Sequence, residues 1–108
     1  MEKRMVNQAK RFIENNYMHI SHLRDIAKGI HCNYHSLRYY FTIYTGVTLG
    51  EYLTEIRCNK ALELLRNRQW KLYRVAREIG LHNDKHFIRV FEKYCNIPPD
   101  TLRQHLMG

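Results

Sequence analysis

Two short segments of the chain carry side chains that can recognise the edges of DNA bases. They are His35, Arg38 and Tyr39 in the first segment, and Asp84, Lys85 and Arg89 in the second. Arginine and lysine can donate hydrogen bonds to guanine O6 and N7, and an aspartate can accept one from cytosine N4. Both segments therefore predict base reading in the major groove of double-stranded DNA.

A further set of side chains suits the sugar–phosphate backbone, because its members are cations or neutral hydrogen-bonding groups. These are Asn33, Tyr34, Thr42, Arg57, Arg74, Asn83, His86 and Lys93. The overall charge favours the same partner, since 18 Lys and Arg residues against 10 Asp and Glu residues give a net charge of +8. No acidic residue lies between Lys28 and Glu51. Such a basic excess favours a polyanion, nucleic acid ahead of an anionic membrane surface, and predicts salt-dependent affinity.

The sequence offers little to catalysis or to metal binding. Histidines at i, i+4 spacing can share a metal ion, but the pairs His31/His35 and His82/His86 lack a third and fourth ligand in the sequence. The chain has no glycine-rich phosphate loop and no nucleophile with a supporting base. We therefore expect no enzymatic activity, no metal, no cofactor and no small-molecule effector.

Cysteine usage and hydropathy bear on the compartment. Cys32, Cys58 and Cys95 are widely spaced and cannot all pair, which favours a reducing environment. Cys58 and Cys95 fall on periodic apolar positions and are expected in the core. The first residues lack the apolar segment of a signal peptide, and no run approaches the roughly 18 apolar residues that span a bilayer. We expect a cytoplasmic, nucleoid-associated protein without membrane contact.

The elements that must position these side chains are helices. Apolar residues recur at steps of three and four, as in Val6, Ala9 and Ile13, and the only two prolines are Pro98 and Pro99. Strand patterns are weak everywhere, so the fold class is all-α. Ser21 is the expected N-cap of the second helix.

The chain also repeats itself with a period of 50 residues. The matching pairs include Asn33/Asn83, Leu37/Phe87, Tyr40/Val90, Phe41/Phe91, Tyr44/Tyr94 and Gly46/Asn96. Each copy predicts a short helix, a tight turn and a second helix with asparagine as its N-cap. The apolar set at 37, 40, 41 and 44, and at 87, 90, 91 and 94, predicts one buried face for that second helix.

The repeat has the requirements of a helix-turn-helix. Ala27 and Ala76 supply the small residue where two helices cross, and the copies differ by one residue in the turn. Gly80 supplies a positive φ in the second turn, whereas the first has His31, which adopts that geometry only at some cost. Gly46 and Asn96 fall where a left-handed residue ends a helix.

A long periodic stretch, roughly Leu49 to Arg66, separates the two copies. Its length as a helix would be roughly 27 Å, most of the ~34 Å of a B-DNA turn. We therefore divide the chain into a first helix-turn-helix subdomain at 1–48, a linker helix at 49–68 and a second subdomain at 69–108. Two copies on such a spacer suit two successive major-groove segments.

These residues resemble the DNA-binding domain of the AraC/XylS family of bacterial transcription regulators, from about Val6 to Arg103. The second copy carries the pattern Ala76-x3-Gly80-x6-Phe87-x-Arg89-x-Phe91-x-Lys93, followed by Pro98-Pro99 and Arg103. The linker matches in Gly46-x2-Leu49-x2-Tyr52-Leu53-x3-Arg57-x3-Ala61-x2-Leu64-Leu65. The resemblance implies about seven helices, and its base-contacting positions fall on the six base-reading residues named above.

The resemblance further implies a stand-alone regulator that binds an asymmetric promoter site as a monomer and activates by contact with RNA polymerase. The chain departs from the family pattern at His31, His35, Tyr39, Leu81 and Glu92, and these departures bear on the target sequence rather than the fold. Two alternatives remain open. One is the DNA-binding half of a larger effector-sensing regulator, and the other is a basic helical adaptor that binds an acidic protein.

Overall fold

The computed structural model describes residues 1–107, which form seven α-helices, one 3-10 turn and no strand. The helices are α1 Glu2–Asn16, α2 Arg24–Gly29, α3 Tyr34–Thr45, α4 Leu49–Leu65, α5 Leu72–Glu78, α6 Asp84–Cys95 and α7 Pro99–Met107, and the 3-10 turn Tyr17–His19 follows α1. The prediction of an all-α chain of about seven helices, with a long helix between two helix-turn-helix pairs, is confirmed.

The helices belong to two compact units that divide within α4. The first unit is Met1–Ile56, and the second begins at Arg57. With 17 residues, α4 is about 26 Å long. The three-part division at residues 48 and 68 stays a prediction.

The core of the first unit lies where α1, α2 and α3 meet. Its fully buried side chains include Ile13, Ile26, Leu37 and Phe41, and Ala27 is only 3% exposed. At Gly29 an added Cβ would lie 2.2 Å from the Phe12 ring. Small residues in α2 therefore let it approach α1 and α3 closely, as the sequence predicts for Ala27.

The core of the second unit is built in the same way around α5 and α6. Ala76, Phe87 and Phe91 are at most 1% exposed, and the two phenylalanine rings lie 5.7 Å apart. Cys58 from α4 is also buried, as predicted, whereas Cys95 is half-buried. Of the apolar pairs in the repeat, Leu37/Phe87 and Phe41/Phe91 are buried, whereas Tyr40/Val90 is half-buried.

Two expectations about these helices are wrong in detail. The repeat places Tyr44 and Tyr94 on the buried faces, but they are 50% and 41% exposed. They lie in the last turn of α3 and α6, and a tyrosine at the edge of a core keeps its hydroxyl group in water. Ser21 is not the N-cap, because α2 begins at Arg24 and the residue before it is Leu23. The side chain that bonds to an amide here is Asp25, whose carboxylate accepts the His22 N–H at 3.1 Å.

The turns and caps follow the sequence closely. His31 has φ 57° and Gly80 has φ 92°, so both helix-turn-helix turns use a left-handed residue. Gly46 (φ 80°) and Asn96 (φ 62°), which follow the C-terminal ends of α3 and α6, are left-handed as well. Helix α4 begins with a reciprocal pair, in which Thr48 Oγ1 accepts from the Glu51 N–H and Glu51 accepts from the Thr48 N–H.

Arg103 on α7 fixes the segment that leads from α4 into α5. Its Nε donates to the Leu65 carbonyl at 3.1 Å, and its terminal nitrogen donates to the carbonyls of Asn67 and Trp70. The guanidinium therefore satisfies carbonyls at the C-terminal end of α4, where a positive charge is favourable. Arg103 thus has a structural role inside the second unit.

Candidate nucleic-acid interface

The outward side of α3 gathers the residues predicted to read the first half of a DNA site. His35, Arg38, Tyr39 and Thr42 are all exposed, and Tyr39 is 63% exposed. All four line one open groove of about 730 Å³, together with the half-buried Tyr34. The helix therefore presents these polar side chains on one side while its opposite side is packed into the core.

The start of this helix is fixed by Asn33. Its side-chain oxygen accepts the Ser36 N–H at 2.9 Å, and the residue itself has extended backbone angles. Capping of this kind satisfies an amide at the first helical turn and sets where α3 begins. The N-cap prediction is confirmed, and contact of Asn33 with DNA phosphate stays a prediction.

An aromatic ring at the first turn of α3 holds two guanidinium groups. The Arg24 Cζ lies 4.6 Å from the centroid of the Tyr34 ring, and the Arg38 Cζ lies 5.6 Å from it. The His35 ring centroid is 5.9 Å from the same ring. Since Arg24 belongs to α2, the stack joins the two helices of the first helix-turn-helix through their cationic side chains.

These two guanidinium groups have no anionic partner within residues 1–107. Neither Arg24 nor Arg38 makes an ion pair there, and Asp25, the acid next to Arg24 in the sequence, accepts a hydrogen bond from the His22 amide. Stacking on an aromatic face orients a guanidinium without neutralising its charge. The cluster therefore leaves two positive charges available to an anionic partner.

The outward side of α6 carries the second predicted reading set. Asp84, Lys85, His86 and Arg89 are exposed on its first two turns, and Lys93 is exposed further along. Asn83 caps the helix by accepting the His86 N–H at 3.0 Å. The prediction of a capped helix with one buried and one polar face is confirmed for α6.

A shallow cleft of about 680 Å³ lies beside the start of α6. It is lined by Tyr73, Arg77, His82, Asn83, Asp84 and Lys85. The two turns are closed by equivalent hydrogen bonds, from the Cys32 N–H to the Ala27 carbonyl and from the Leu81 N–H to the Ala76 carbonyl. After this bond the first turn reaches its capping asparagine directly, whereas the second has His82 in between, so His82 is the extra residue of the second turn. The insertion therefore changes the surface of the second unit without changing its helices.

The flanking arginines of the second unit differ in exposure. The Arg74 Cζ lies 4.5 Å from the Trp70 ring centroid, and the Arg77 Cζ lies 5.4 Å from that of Tyr73, with both arginines exposed. Arg57 is half-buried, and burial lowers the pKa of its guanidinium. Arg74 is thus placed as expected of a phosphate contact, whereas Arg57 is more enclosed, and both roles stay predictions.

The cysteines are placed for packing rather than for chemistry. Burial raises the pKa of the Cys58 thiol to about 12, and burial also raises the pKa of Cys32 and of Cys95. The thiolate is the reactive and metal-binding form, so a raised pKa keeps these groups inert at neutral pH. In the described part of the chain, no three His, Cys, Asp or Glu side chains converge on a metal position.

Two residues of this surface were not selected from the sequence. Arg24 was missed because its stack on Tyr34 depends on how the turn brings α2 against α3, which no local spacing encodes. Ile43 was missed because α3 carries apolar and aromatic residues on both sides. Its one sequence feature is a position four residues after Tyr39, which places both on adjoining turns of one side.

The fold and these two surfaces define a class of protein. Each unit pairs a short helix with an N-capped second helix across a left-handed turn, and that second helix exposes cationic and hydrogen-bonding side chains. This is the arrangement of a tandem helix-turn-helix domain. A family described as "Helix-turn-helix domain" matches residues 26–105. The chain belongs to this family, in its AraC-type form.

Its relatives by sequence are transcription regulators of greater length. The Msm operon regulatory protein of Streptococcus mutans is 25% identical over 106 residues, which cover 98% of this chain and 38% of that protein. The HTH-type transcriptional activator RhaR of Pectobacterium atrosepticum is 32% identical over 78 residues, covering 72% and 28%. The chain therefore spans about a third of the length of the curated relatives it matches.

A solved structure supports the same assignment. A DNA-binding transcriptional dual regulator from Escherichia coli K-12 has a TM-score of 0.82 at 26% sequence identity, with 95% of this chain and 92% of that chain covered.

No helix within residues 1–107 combines the length and the apolar character that a membrane span requires.

Proposed function

We propose that this chain binds double-stranded DNA sequence-specifically and regulates transcription, with α3 and α6 as its recognition helices. The observation that carries the proposal is the two-sidedness of these helices. Leu37 and Phe41 in α3, and Phe87 and Phe91 in α6, are at most 1% exposed, while the opposite sides are exposed and carry mainly polar side chains. A helix fixed in this way can enter a major groove without losing its core.

Within this proposal the base-reading groups are those on the outward sides. They are His35, Arg38 and Tyr39 on α3, and Asp84, Lys85 and Arg89 on α6. Arginine and lysine suit guanine O6 and N7, and Asp84 suits the cytosine N4 amino group. Their exposure within the described units supports this assignment.

A second group holds the DNA backbone. It comprises Asn33, Tyr34, Thr42, Arg57, Arg74, Asn83, His86 and Lys93, and we add Arg24 to it. In a helix-turn-helix the first helix crosses the phosphate backbone while the second enters the groove. Arg24 at the start of α2 and Arg38 on α3 share the Tyr34 ring, which supports a phosphate role for the first and a base role for the second.

The two outward sides differ in chemistry, and we infer a non-palindromic site bound by one copy of the chain. The α3 side carries no acid, whereas the α6 side carries Asp84. A two-fold symmetric site would present the same bases to both helices, which unlike side chains would read poorly. Analytical ultracentrifugation of the DNA complex tests the stoichiometry, and two chains per site would contradict it.

Activation by contact with RNA polymerase is part of the same proposal. It is supported by the described activity of RhaR as an activator, and the Escherichia coli neighbour is described as a dual regulator. Transcription in vitro tests this step, from a promoter that carries a site selected by the chain from a pool of random duplexes. Increased transcript with the wild-type chain supports activation, and decreased transcript indicates repression.

A mobility shift at rising salt tests the proposal as a whole, using a selected duplex and a scrambled duplex of the same composition. Sequence-specific binding predicts that the selected duplex stays bound at salt concentrations that release the scrambled one. A basic adaptor for an acidic protein predicts equal release of both duplexes at every salt concentration. Equal release would therefore overturn the proposed function.

A second candidate is that this domain serves as the DNA-binding part of a longer, effector-sensing regulator. The length of the relatives favours it, because this chain covers 38% of the Msm operon regulatory protein and 28% of RhaR. The mass of the native protein, measured by immunoblot of cells that produce it, decides between the two arrangements.

A further inference from the structure

One exposed apolar side chain on α3 has no role in the contacts described above. Ile43 is 62% exposed, and it lines the same open groove as Arg38 and Tyr39. It follows Tyr39 by four residues, which places it one helical turn further along α3. The core of the first unit takes Leu37 and Phe41 from this helix and does not require Ile43.

The surroundings of Ile43 indicate what it would contact. The groove also holds His35 and Arg38, and the whole segment from Lys28 to Glu51 contains no acidic residue between its ends. The complementary partner of such a groove is a polyanion rather than an apolar protein surface. Among the groups that base pairs present in the major groove, the thymine C5 methyl is the apolar one.

We propose that Ile43 packs against a thymine C5 methyl group in the half-site read by α3 and gives the chain a thymine preference there. The inference rests on the proposed function. Four residues of α-helix advance about 6 Å, and stacked bases are about 3.4 Å apart. The thymine therefore lies within about two base pairs of the base contacted by Tyr39.

The test removes one methyl group at a time. Duplexes selected by the wild-type chain from a random pool are remade with each thymine replaced singly by deoxyuridine, which lacks only the C5 methyl. Affinities are then measured for the wild type, for Ile43→Ala and for the matched control Tyr44→Ala. Tyr44 is exposed on the same helix but does not line the groove. Because Ile43 and Tyr44 are largely exposed, circular dichroism should show that both variants keep the fold.

The expected result is one thymine whose replacement weakens wild-type binding about fourfold, in line with the loss of one buried methyl. The Ile43→Ala chain should bind the thymine and deoxyuridine duplexes equally well, whereas Tyr44→Ala should still discriminate between them. A duplex with cytosine in place of this thymine should bind the wild type more weakly, and 5-methylcytosine at the same position should restore part of the lost affinity.

Two results overturn the inference while leaving the proposed function intact. One is a selected site in which no thymine-to-deoxyuridine replacement changes wild-type affinity. The other is a methyl effect that persists undiminished in Ile43→Ala, since another side chain would then make the contact. Failure to select any sequence from the pool would instead contradict the proposed function, and the thymine preference would fall with it.

Discussion

The guanidinium of Arg24 lies over the ring of Tyr34, 4.6 Å from its centroid. The same ring lies 5.6 Å from the guanidinium of Arg38. One aromatic side chain thus connects a cation on the first helix of the helix-turn-helix with a cation on the second. If Arg24 holds a phosphate and Arg38 reads a base, Tyr34 fixes the distance between the two contacts.

Replacing Arg24 by alanine should weaken binding to selected and random duplexes alike. A phosphate contact carries no sequence information, so the salt dependence of the association constant should become shallower by about 1 in the log–log slope. Titrations at several salt concentrations measure this slope. A loss of affinity confined to the selected duplex would contradict the phosphate role.

Tyr34 itself offers a matched pair of variants. Tyr34→Phe keeps the aromatic face and should preserve specificity, losing only the affinity of the proposed contact between the tyrosine hydroxyl and a phosphate, whereas Tyr34→Leu should also lose the stacking of both arginines, worth about 0.5–1 kcal/mol for each at an exposed site. If the two variants bind DNA equally well, the ring does not position the arginines.

The left-handed turn at His31 predicts a stabilising substitution. A non-glycine residue at φ 57° carries strain of roughly 1 kcal/mol. Glycine would remove this strain, but the greater conformational entropy of glycine in the unfolded chain would offset part of the gain. His31→Gly should therefore raise the free energy of unfolding by about 0.5 kcal/mol. Gly80→Ala is the matched opposite, at φ 92°, and should lower it by about 1 kcal/mol. Urea denaturation measures both, and a destabilised His31→Gly chain would contradict this account of the turn.

Much of this architecture is predictable from the sequence because its determinants are local. Asparagine caps at Asn33 and Asn83 bond to amides three residues ahead, and the left-handed ends at Gly46 and Asn96 depend on one residue each. Phe87 and Phe91 are identified as core by their repeat partners and by helical spacing.

The remainder depends on packing between elements. The Arg24–Tyr34 stack joins residues ten positions apart across a turn, and neither residue alone indicates the contact. Tyr44 matches the core periodicity, but it lies in the last turn of α3 and is 50% exposed. Ser21 is a favourable capping residue by type but does not cap α2, and the Asp25 carboxylate in the first turn of α2 instead accepts the His22 N–H.

Phe91→Ala tests the core of the second unit. The side chain is fully buried and lies against Phe87, so its truncation should lower the free energy of unfolding by about 3–5 kcal/mol. Lys93→Ala, at an exposed position on the same helix, should change it by no more than about 0.5 kcal/mol. A wild-type denaturation midpoint for Phe91→Ala would show that the core has been assigned wrongly.

The buried thiol of Cys58 predicts a loss of stability at alkaline pH. Burial raises the Cys58 pKa to about 12 in the folded chain, against about 8.5 when unfolded. Above about pH 9 the unfolded chain releases this proton while the folded chain retains it, so the free energy of unfolding falls as pH rises, by up to about 1.4 kcal/mol per unit. Below pH 8 the group contributes no pH dependence.

Unfolding at pH 7, 9 and 10 checks this prediction. The Cys58→Ala chain should lose less stability between pH 9 and pH 10 than the wild type, whatever its stability at pH 7. Cys32→Ala, at a half-buried position in the first unit, should follow the wild type more closely. Parallel losses in wild type and Cys58→Ala would assign the alkaline effect to other groups.

The central claim is that two unlike helices each read their own part of one DNA site, and selection from a random duplex pool tests it most directly. The wild type, Arg38→Ala and Arg89→Ala should be compared. We predict a non-palindromic consensus, with preference relaxed in one half by Arg38→Ala and in the other by Arg89→Ala, each by about 1–3 kcal/mol. A palindromic consensus, or both variants relaxing the same half, would contradict the claim.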